Sequence, residues 1–442
     1  MFERVFIANR GAVARRVVRA CDALGIASVA AYSDVDGQAP HLAEASATAR
    51  LRGYKPQDTY LDVEAILRAA RHSGADALHP GYGFLAENAA FARRVEESGM
   101  RFIGPAPKWL EMMGEKTRAR EIMSAHDFPV HAGSSVLNTP DEAIEAARDI
   151  GYPVMLKAAQ GGGGIGMAVV EDETQLVAAY HRAVSLAGRA FAADDVYLEQ
   201  YLERPRHIEF QILGDGDQVM SLFERECSIQ RRHQKLIEEA PAPNVDRDRL
   251  AQVARHACTA LTDIGYDNLG TVETLLCGDT FGFLEMNTRL QVEHGVTEEA
   301  TGIDIVGAQI RLASGAALNE VLPSDPSLIR YAVEARVYAE DAVTHLPSTG
   351  RLQVFRPPNM TGVRIDAGYA EGQVVTPYYD PLIAKVIGSG ATREQAIGRT
   401  LIALKAFSVT GIDTNIALLR RVLESEAFMA GNLHTEFLDD LL

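Results

Sequence analysis

The segment of the sequence that decides the fold reads Phe283-Leu284-Glu285-Met286-Asn287-Thr288-Arg289-Leu290-Gln291-Val292-Glu293-His294. Read as a strand with a two-residue side-chain period, it places its polar and its apolar residues on opposite faces. The polar face carries Glu285, Asn287, Arg289, Gln291 and Glu293. A strand that faces water is also polar on one side, but it needs no such row of carboxylate, amide and guanidinium groups. We therefore predict that this face binds a charged ligand, with a surface strand as the alternative.

The preceding segment strengthens this prediction. Gly270–Leu276 and Phe281–Glu285 flank a Gly-Asp step, a pattern typical of a β-hairpin. If the loop comprises Gly278 to Thr280, Glu273 lies directly opposite Glu285. Because like charges at a cross-strand pair destabilise a sheet, the two carboxylates suggest a shared cation. An oxygen-ligated Mg²⁺ is the natural candidate, and the alternative is a different register in which both carboxylates face water.

Length and composition indicate a globular enzyme with two or three domains. The chain has 442 residues, more than one hydrophobic core usually serves. Its 60 acidic and 43 basic residues give a net charge of −17, which argues against non-specific binding to nucleic acid. The 4 cysteines are scattered without a CxxC pair, as in proteins of a reducing compartment. With no signal peptide and no apolar run of membrane-spanning length, we predict a cytoplasmic protein that binds no membrane.

Residues 1–105 alternate strand and helix patterns. A strand–helix–strand pattern over residues 5–32 forms a βαβ unit that lacks GxGxxG, so a dinucleotide site is not supported. Further strand and helix patterns over residues 61–104 complete a small doubly wound α/β domain. The run His79-Pro80-Gly81-Tyr82-Gly83-Phe84 follows a strand, at the edge where such folds bind ligands. The alternative for this run is a tight structural turn.

Residues 106–128 are predicted to form a helical connector, and residues 129–203 a separate small module. Between two strands of that module lies the run Lys157-Ala158-Ala159-Gln160-Gly161-Gly162-Gly163-Gly164-Ile165-Gly166-Met167. It is not a Walker loop, because no Gly-Lys-Ser/Thr follows and the next element is a strand. The backbone N–H groups of a glycine run can wrap phosphate oxygens, and Lys157 would add a positive charge. We favour this phosphate-binding flap over a flexible linker.

Residues 204–442 are predicted to form the C-terminal part of the fold. One strand face there carries His207, Glu209 and Gln211. A local basic cluster suited to an anion, or an exposed charged loop, is formed by Arg231, Arg232, His233 and Lys235. Glu334–Tyr338 reads as a further alternating strand, and Thr376–Pro381 as a rigid turn. Helices are expected to fill most of the remainder.

These motifs together resemble the biotin carboxylases, the ATP-grasp components of biotin-dependent carboxylases. The resemblance covers the whole chain and is specific because the motifs occur in the same order and spacing. The matching stretches are Ile7–Gly11, His79–Asn88, Lys157–Met167, Pro205–Glu209, Gln230–Lys235 and Glu285–His294. The resemblance implies an α/β and α+β ATP-grasp fold with an N-terminal doubly wound α/β domain, a mobile lid over residues 129–203 and a C-terminal domain.

The resemblance also implies a reaction and its partners. Biotin carboxylases form carboxyphosphate from bicarbonate and MgATP and then carboxylate N1 of biotin, releasing ADP and phosphate. The implied cofactors are ATP, Mg²⁺ (or Mn²⁺), bicarbonate and biotin on a carrier protein. Because the sequence contains no Met-Lys-Met biotinylation motif and no carboxyltransferase region, we expect the carrier and the carboxyltransferase on separate chains. Similar proteins are homodimers, which we also expect here.

Individual roles follow from the resemblance, residue by residue. Positions matching contacts to ATP are Lys116, Lys157, Gly163, Gly164, Met167, Glu199, Gln200, Tyr201, Leu202, His207, Gln230, His233 and Leu276. Positions matching the Mg²⁺ site are Glu273 and Glu285, with Asn287 beside them. Positions matching the bicarbonate pocket are Lys235, Arg289, Gln291 and Val292. Glu293 matches the general base that deprotonates bicarbonate, Arg336 the residue that stabilises the biotin enolate, and Tyr82 lies near the biotin pocket.

The sequence departs from the family pattern at two positions. Ile165 stands where many members carry Arg or Lys, and Gly295 where many carry Pro. The glycine run and the Glu-His-Gly-Val-Thr-Glu segment are closer to urea carboxylase-type enzymes, whereas Gln-Arg-Arg-His-Gln also fits the acyl-CoA branch. Acyl-CoA and urea or another small molecule thus both stay open as final acceptors. The alternative functions are another ATP-grasp ligase that uses carboxyphosphate, and a catalytically silent ATP-binding protein.

Overall fold

The computed structural model describes residues 1–159, 167–191, 195–341 and 344–441. The N-terminal part is a 5-stranded sheet in the order β3-β2-β1-β4-β5, with all neighbours parallel. Its strands are β1 (Arg4–Ile7), β2 (Ala27–Tyr32), β3 (Ala47–Arg50), β4 (Ala77–His79) and β5 (Arg101–Phe102), and its helices are α1 (Gly11–Ala23), α2 (Pro40–Glu44), α3 (Val63–His72) and α4 (Ala89–Glu97). The predicted doubly wound parallel sheet is thus confirmed.

The strand order of this sheet fixes where a ligand can bind. The chain winds outward in one direction through β2 and β3 and in the other through β4 and β5, so the direction reverses between β1 and β4. In open α/β sheets, the crevice beyond the carboxyl ends of such strands receives ligands. The loop after β1 begins with Asn9, and the loop after β4 contains Tyr82.

The middle of the chain contains two short helices and a small antiparallel sheet. The predicted connector is α5 (Pro107–Gly114) and α6 (Lys116–Ala125), which are interrupted at Glu115. The following elements are α7 (Pro140–Ile150), β6 (Val154–Ala158), β7 (Ala168–Val170), α8 (Glu173–Phe191) and β8 (Val196–Gln200), with the sheet in the order β7-β6-β8. The predicted flap residues Gly163 and Gly164, and Ile165 beside them, lie outside the described residues.

The largest element of the fold is an 8-stranded antiparallel sheet in the order β13-β12-β9-β10-β11-β14-β19-β17. Its strands are β9 (Arg206–Asp215), β10 (Val219–Arg231), β11 (Gln234–Ala240), β12 (Asp267–Cys277), β13 (Thr280–Asn287), β14 (Tyr331–Tyr338), β17 (Val363–Ala367) and β19 (Leu382–Gly390). Helices α9 (Arg247–Asp263), α10 (His294–Thr301), α11 (Ile305–Ala313) and α12 (Leu318–Val321) lie between its strands in the sequence.

The remaining elements complete the C-terminal part. Two small antiparallel pairs join β15 (Gly350–Arg351) to β18 (Val374–Val375) and β16 (Val354–Arg356) to β20 (Ser408–Thr410). The last helices are α13 (Arg393–Ala406), α14 (Ile416–Glu424), α15 (Glu426–Met429) and α16 (Phe437–Leu441). Helices do fill most of the chain end, but the prediction missed β19, because its apolar run gives no alternating pattern.

The predicted hairpin is present, although its loop differs from the prediction. Cys277 pairs with Thr280, so the loop is shorter than predicted and comprises Gly278 and the following Asp. The register shifts at Leu284, where one extra residue forms a bulge. The two differences compensate, so that Glu273 lies opposite Glu285 as predicted.

The strand predicted over residues 283–294 is correct only in its first half. β13 ends at Asn287, and the chain then turns into α10, which begins at His294. Arg289, Gln291 and Glu293 therefore do not belong to a strand. A loop that wraps a polar cavity produces the same alternation of polar and apolar residues as a strand with one polar face.

Candidate functional site

A cavity of about 670 Å³ lies between the carboxyl edge of the N-terminal sheet and the large antiparallel sheet. Most of the predicted site residues line it. These are Tyr82, Lys116, Lys157, Met167, His207, Gln230, His233, Lys235, Glu273, Glu285, Asn287, Arg289, Gln291, Val292, Glu293 and Arg336. The fold thus brings together, from distant parts of the sequence, the residues to which the resemblance gave roles.

Each of the two hairpin carboxylates has its own lysine. Lys116 Nζ lies 2.8 Å from a Glu285 oxygen, and Lys235 Nζ lies 3.0 Å from Glu273. Asn287 donates a hydrogen bond of 2.8 Å to Glu273. Burial raises the pKa of Glu273, but Lys235 and His207 outweigh this effect and hold its pKa well below the usual range. Glu273 is therefore ionised at neutral pH.

The hydrogen bonds around His207 define its tautomer. The Gln230 amide donates to His207 Nδ1 at 2.8 Å, so the proton of a neutral ring is on Nε2. Nε2 lies 2.9 Å from Glu273, to which it can donate. A neutral imidazole held in this way presents one fixed N–H to the cavity.

The hairpin offers oxygen ligands of the kind that Mg²⁺ prefers. Glu273, Glu285 and Asn287 all supply oxygens and all line the cavity, so these residues fit the predicted ion. Among the described residues, one tighter group of possible metal ligands contains His207, Glu209 and Glu273. Lys235 Nζ lies 2.5 Å from Glu209 and 3.0 Å from Glu273, and Arg225 lies 2.5 Å from Glu209, so two cations already balance the two carboxylates of that group.

Glu293 connects the two sides of the cavity. One of its oxygens accepts from Lys235 Nζ at 2.7 Å, and the other accepts from Arg336 Nη2 at 2.9 Å. Burial raises the pKa of Glu293, but Lys235, Arg336 and Arg225 together hold it well below the usual range. Glu293 is thus a carboxylate at neutral pH, which is the form that a general base needs.

Arg289 is held by partners on three sides. It donates to Glu87 at 2.8 Å, to Asn287 at 2.8 Å and to Gln291 at 3.0 Å. Glu87 also accepts from the Thr288 backbone N–H at 3.0 Å, so the N-terminal part of the chain fixes this loop. The sequence reasoning gave Glu87 no role, although it lies in the matching stretch His79–Asn88.

Lys157 faces a carboxylate that was predicted to contact ATP. Its Nζ lies 2.5 Å from Glu199, which also lies 3.3 Å from Arg120. The predicted ATP contacts Glu199, Gln200, Tyr201, Leu202 and Leu276 do not line this cavity, as far as the described residues define it. Leu276 is buried in a hydrophobic cluster, and Tyr201 donates a hydrogen bond to Glu436. Their nucleotide role stays a prediction.

The predicted basic cluster forms only in part, since His233 and Lys235 line the cavity whereas Arg231 and Arg232 do not. Arg231 and Lys235 belong to β10 and β11, and the turn between these strands exposes Arg232 and His233. Arg231 pairs with Glu340 at 2.6 Å, whereas Lys235 points among the cavity carboxylates. The alternative of an exposed charged loop holds only for the turn at Arg232 and His233, because most of the segment is strand. Period-two geometry separates charges that are adjacent in the sequence.

The turn that carries Tyr82 is built tightly. Asn9 donates to the carbonyl oxygens of Pro80 at 2.6 Å and of Tyr82 at 2.8 Å. Gly81 has φ +67°, and a Cβ at this position would lie 2.6 Å from the Asn9 amide. Only glycine therefore fits, and the loops after β1 and β4 are fixed to each other.

The other residues on the Tyr82 side of the cavity were not predicted from the sequence. Tyr338, Tyr378, Tyr379 and Asp380 line the cavity together with Arg10. Arg10 forms a bidentate ion pair with Asp36, and its guanidinium lies 4.4 Å from the centroid of the Tyr379 ring. The Ile7–Gly11 match could have suggested Arg10, but no local pattern indicated the tyrosines.

Family models cover nearly the whole chain. The model "Biotin carboxylase, N-terminal domain" matches residues 1–110, and "Biotin carboxylase C-terminal domain" matches residues 334–440. Residues 115–321 match "Carbamoyl-phosphate synthase L chain, ATP binding domain". The chain belongs to the biotin carboxylase family. It is accordingly an ATP-dependent ligase with the ATP-grasp fold.

Similar proteins and structures span the same length as this biotin carboxylase chain. It is 45% identical to biotin carboxylase 2 of Bacillus subtilis over 99% of both chains. It is 47% identical to the biotin carboxylase of Halalkalibacterium halodurans, over 100% of this chain and 98% of that one. The biotin carboxylase domain dimer of Hydrogenobacter thermophilus 2-oxoglutarate carboxylase, solved with MgADP, ADP and bicarbonate, has a TM-score of 0.96 at 42% identity, covering 100% and 98% of the two chains.

Proposed function

We propose that this chain carboxylates biotin on a carrier protein, using ATP and bicarbonate and releasing ADP and phosphate through carboxyphosphate. The observation that carries the proposal is the line Lys235–Glu293–Arg336 across one cavity. It places a carboxylate between one cation on the hairpin side and one on the side of Tyr82. A base in that position can serve a reaction whose two substrates enter from opposite sides.

Phosphoryl transfer needs positioning and charge neutralisation more than covalent chemistry. Lys116, Lys157 and His207 are the groups that we assign to the phosphates of ATP. Mg²⁺ held by Glu273 and Glu285 would bridge phosphate oxygens and neutralise their charge. Two of these lysines now pair with Glu285 and Glu199, at 2.8 Å and 2.5 Å. The incoming phosphates and the cation can replace these internal partners without leaving a charge uncompensated.

Bicarbonate is assigned to Lys235, Arg289, Gln291 and Val292. Arg289 is already oriented by Glu87, so its guanidinium is positioned before the anion arrives. Glu293 accepts the bicarbonate proton, and the resulting oxygen attacks the γ-phosphorus while ADP leaves. An anion that draws Lys235 away from Glu293 raises the pKa of this carboxylate and makes it a stronger base.

Biotin is assigned to the side of the cavity that carries Arg336 and Tyr82. The carboxyl group passes from carboxyphosphate to N1 of biotin, and the phosphate that leaves takes up the N1 proton. Negative charge that develops on the ureido oxygen needs a fixed cationic donor, and Arg336 supplies it. Burial raises the pKa of the Tyr82 hydroxyl well above its usual range, so Tyr82 stays a neutral hydrogen-bonding group.

The assembly around this chain follows from the same assignment. Biotin reaches the cavity on a separate carrier protein, and separate carboxyltransferase chains use the product. The Hydrogenobacter thermophilus domain crystallised as a dimer, which supports a homodimer for this chain. We also assign residues 129–203 to a lid over the nucleotide. No helix in the described part of the chain is long and apolar enough to cross a membrane.

The direct test is ADP release by the purified protein with MgATP, measured with and without bicarbonate and with and without free biotin. We expect release that requires bicarbonate and increases with biotin, together with carboxybiotin as product. Bicarbonate-dependent release that neither biotin nor a biotinylated carrier changes would favour another carboxyphosphate-using ligase. No ADP in any mixture would favour a silent ATP-binding protein, despite the converging groups in the cavity.

A further inference from the structure

A pair of buried carboxylates lies next to Arg336. Glu238 on β11 is the direct cross-strand partner of Glu334 on β14, and both side chains are fully buried. Like charges at a cross-strand pair repel each other, and burial removes the water that would screen them. Two carboxyl groups in this position cannot both ionise without a large cost, so they tend to hold a proton between them.

The cations near this pair are already in use. Arg336 Nη2 contacts a Glu238 oxygen and also donates to Glu293 at 2.9 Å. Lys385 lies 3.3 Å from Glu334 and donates to the Val292 carbonyl at 2.5 Å. Within the described residues, neither Glu238 oxygen has a well-aligned hydrogen bond, and Glu334 Oε1 also has none.

Titratable side chains from several elements surround Glu238 and Arg336. Besides Arg336, the titratable side chains that face Glu238 electrostatically include Glu334 and Tyr338 on its neighbouring strand, Glu293 before α10 and Cys227 on β10. Arg336 is also influenced by Tyr338, and Lys385 by Asp366 at 3.6 Å. If Glu238 and Glu293 were both ionised, Arg336 would lie between two negative charges, and its own charge would be cancelled.

We propose that Glu238 and Glu334 share one proton and that this proton leaves Arg336 with a positive charge for the biotin ureido oxygen. Glu238 is thus a positioning residue that acts through Arg336 and does not touch the substrate. The inference rests on the proposed function, because it assigns a task to Arg336 in that reaction. The packing around Glu334 also explains why position 295 is a glycine, since a Cβ there would lie 3.2 Å from Glu334 and 2.6 Å from Ile387.

The electrostatics of the pair agree with this geometry. Burial, together with Glu334 and Glu293, raises the pKa of Glu238 to about 8, although Arg336 opposes the shift. Burial raises the pKa of Glu334 as well. Glu238 is therefore neutral at pH 7 and ionises as the pH rises through about 8. Above that pH, the Glu238 and Glu293 carboxylates together cancel the charge of Arg336, which stays protonated, and the biotin-dependent step slows.

Two isosteric variants test the proposal in opposite directions. Glu238→Gln keeps the neutral form at every pH, so we expect activity within about threefold of wild type at pH 7 and no alkaline decrease near pH 8. Glu334→Gln removes the repelling charge, so Glu238 ionises more easily and the alkaline decrease moves to lower pH. The readout is carboxybiotin formation against pH, with bicarbonate-dependent ADP release measured in parallel.

The matched control is Glu239→Gln. Glu239 is the next residue on β11, equally buried, and it pairs with Arg393 at 2.6 Å on the other face. We expect this variant to show the alkaline decrease in carboxybiotin formation at the same pH as wild type. The proposal would be overturned if all variants showed the same alkaline decrease in carboxybiotin formation. It would also be overturned if Glu238→Gln lost ADP release and carboxybiotin formation equally.

An infrared measurement tests the shared proton independently of the proposed function. A shared proton gives a protonated-carboxyl band at neutral pH that disappears on titration through about pH 8. The band must be weaker in Glu238→Gln and unchanged in a control such as Asp279→Asn, at the exposed hairpin tip. If the band is present in a protein without biotin-dependent turnover, only the function fails; if it is absent, the shared proton is wrong.

Discussion

The two ends of the cavity hold their charges in different ways. At the hairpin end, Lys116 and Lys235 pair with Glu285 and Glu273, four groups that all line the cavity. The aromatic end is formed by Arg10, Tyr82, Tyr338 and Tyr379. Its ion pair joins Arg10 to Asp36, which is buried and is not one of the described residues that line the cavity. Arg10 binds Asp36 through three hydrogen bonds, of 3.2, 2.9 and 2.7 Å, and its guanidinium lies over the Tyr379 ring.

The difference shows which part of the site can change its partners. Ion pairs that line a cavity can be exchanged for the charges of a ligand, so the hairpin end suits phosphates and a metal ion. The buried Arg10–Asp36 pair would leave an uncompensated charge if it opened, so it keeps the aromatic end rigid. Glu293 and Arg336 lie at the junction, where a mutation can affect one end or both.

Glu293→Gln should have the largest effect, because Glu293 contacts both Lys235 at the hairpin end and Arg336 at the junction. Loss of the base predicts a decrease of at least about a hundredfold in bicarbonate-dependent ADP release and in carboxybiotin formation. Both rates are measured in one assay mixture. Glu298→Gln is the control, since Glu298 is also buried but pairs with Arg16 and Arg364 away from the cavity. Retained ADP release in Glu293→Gln would contradict the assigned role.

Arg336→Ala should affect carboxybiotin formation and ADP release differently. We expect carboxybiotin formation to decrease about a hundredfold or more, as for other removed oxyanion donors, while bicarbonate-dependent ADP release is retained. Arg364→Ala is the control, because Arg364 is a partly buried arginine on the same sheet that does not line the cavity. Equal loss of both activities in Arg336→Ala would show that the residue serves phosphoryl transfer instead.

Glu285→Gln should affect the hairpin end alone and more weakly. The change removes one anionic oxygen ligand, so the Mg²⁺ concentration for half-maximal ADP release should rise about tenfold. Titration with Mg²⁺ at saturating ATP measures it. Asp279→Asn removes a carboxylate at the tip of the same hairpin, where the side chain is 90% exposed, and should leave the titration unchanged. An unaltered Mg²⁺ requirement in Glu285→Gln would remove Glu285 from the metal site.

The two ends also differ in how far the sequence could predict them. At the hairpin end, the polar residues follow one another along a short segment, so period and turn chemistry were enough to place Glu273 opposite Glu285. The prediction reached this register with the wrong loop, because the bulge at Leu284 could not be foreseen. Leu284 is as apolar as Phe283 before it, so the inserted residue left no mark in the pattern.

The aromatic end could not be predicted from local patterns. Arg10 follows β1 and Tyr82 follows β4, whereas Tyr338 ends β14 and Tyr379 lies just before β19. Only the packing of the N-terminal sheet against the antiparallel sheet brings these four together. The same holds for Glu238 and Glu334, whose pairing depends on which strand of the large sheet lies beside β11.

Tyr379→Phe should have the smallest effect, and it tests whether the aromatic end is rigid because of its rings or its hydroxyl groups. Tyr379 shares a hydrogen bond of 2.9 Å with Thr59, which also donates to the Lys55 carbonyl. Losing this bond should lower the free energy of unfolding by about 1 kcal/mol, measured by denaturant titration, and leave KM for biotin unchanged.

Tyr379→Leu provides the contrast, because it also removes the ring beneath the Arg10 guanidinium and its edge contact with Tyr60, whose centroid is 5.7 Å away. We expect a further loss of about 1 to 3 kcal/mol in unfolding free energy and a higher KM for biotin, since the wall beside Arg10 loses its support. If the Phe and Leu variants are equally stable and bind biotin equally well, the buried Arg10–Asp36 pair alone maintains this end, and the ring contributes only to lining the cavity.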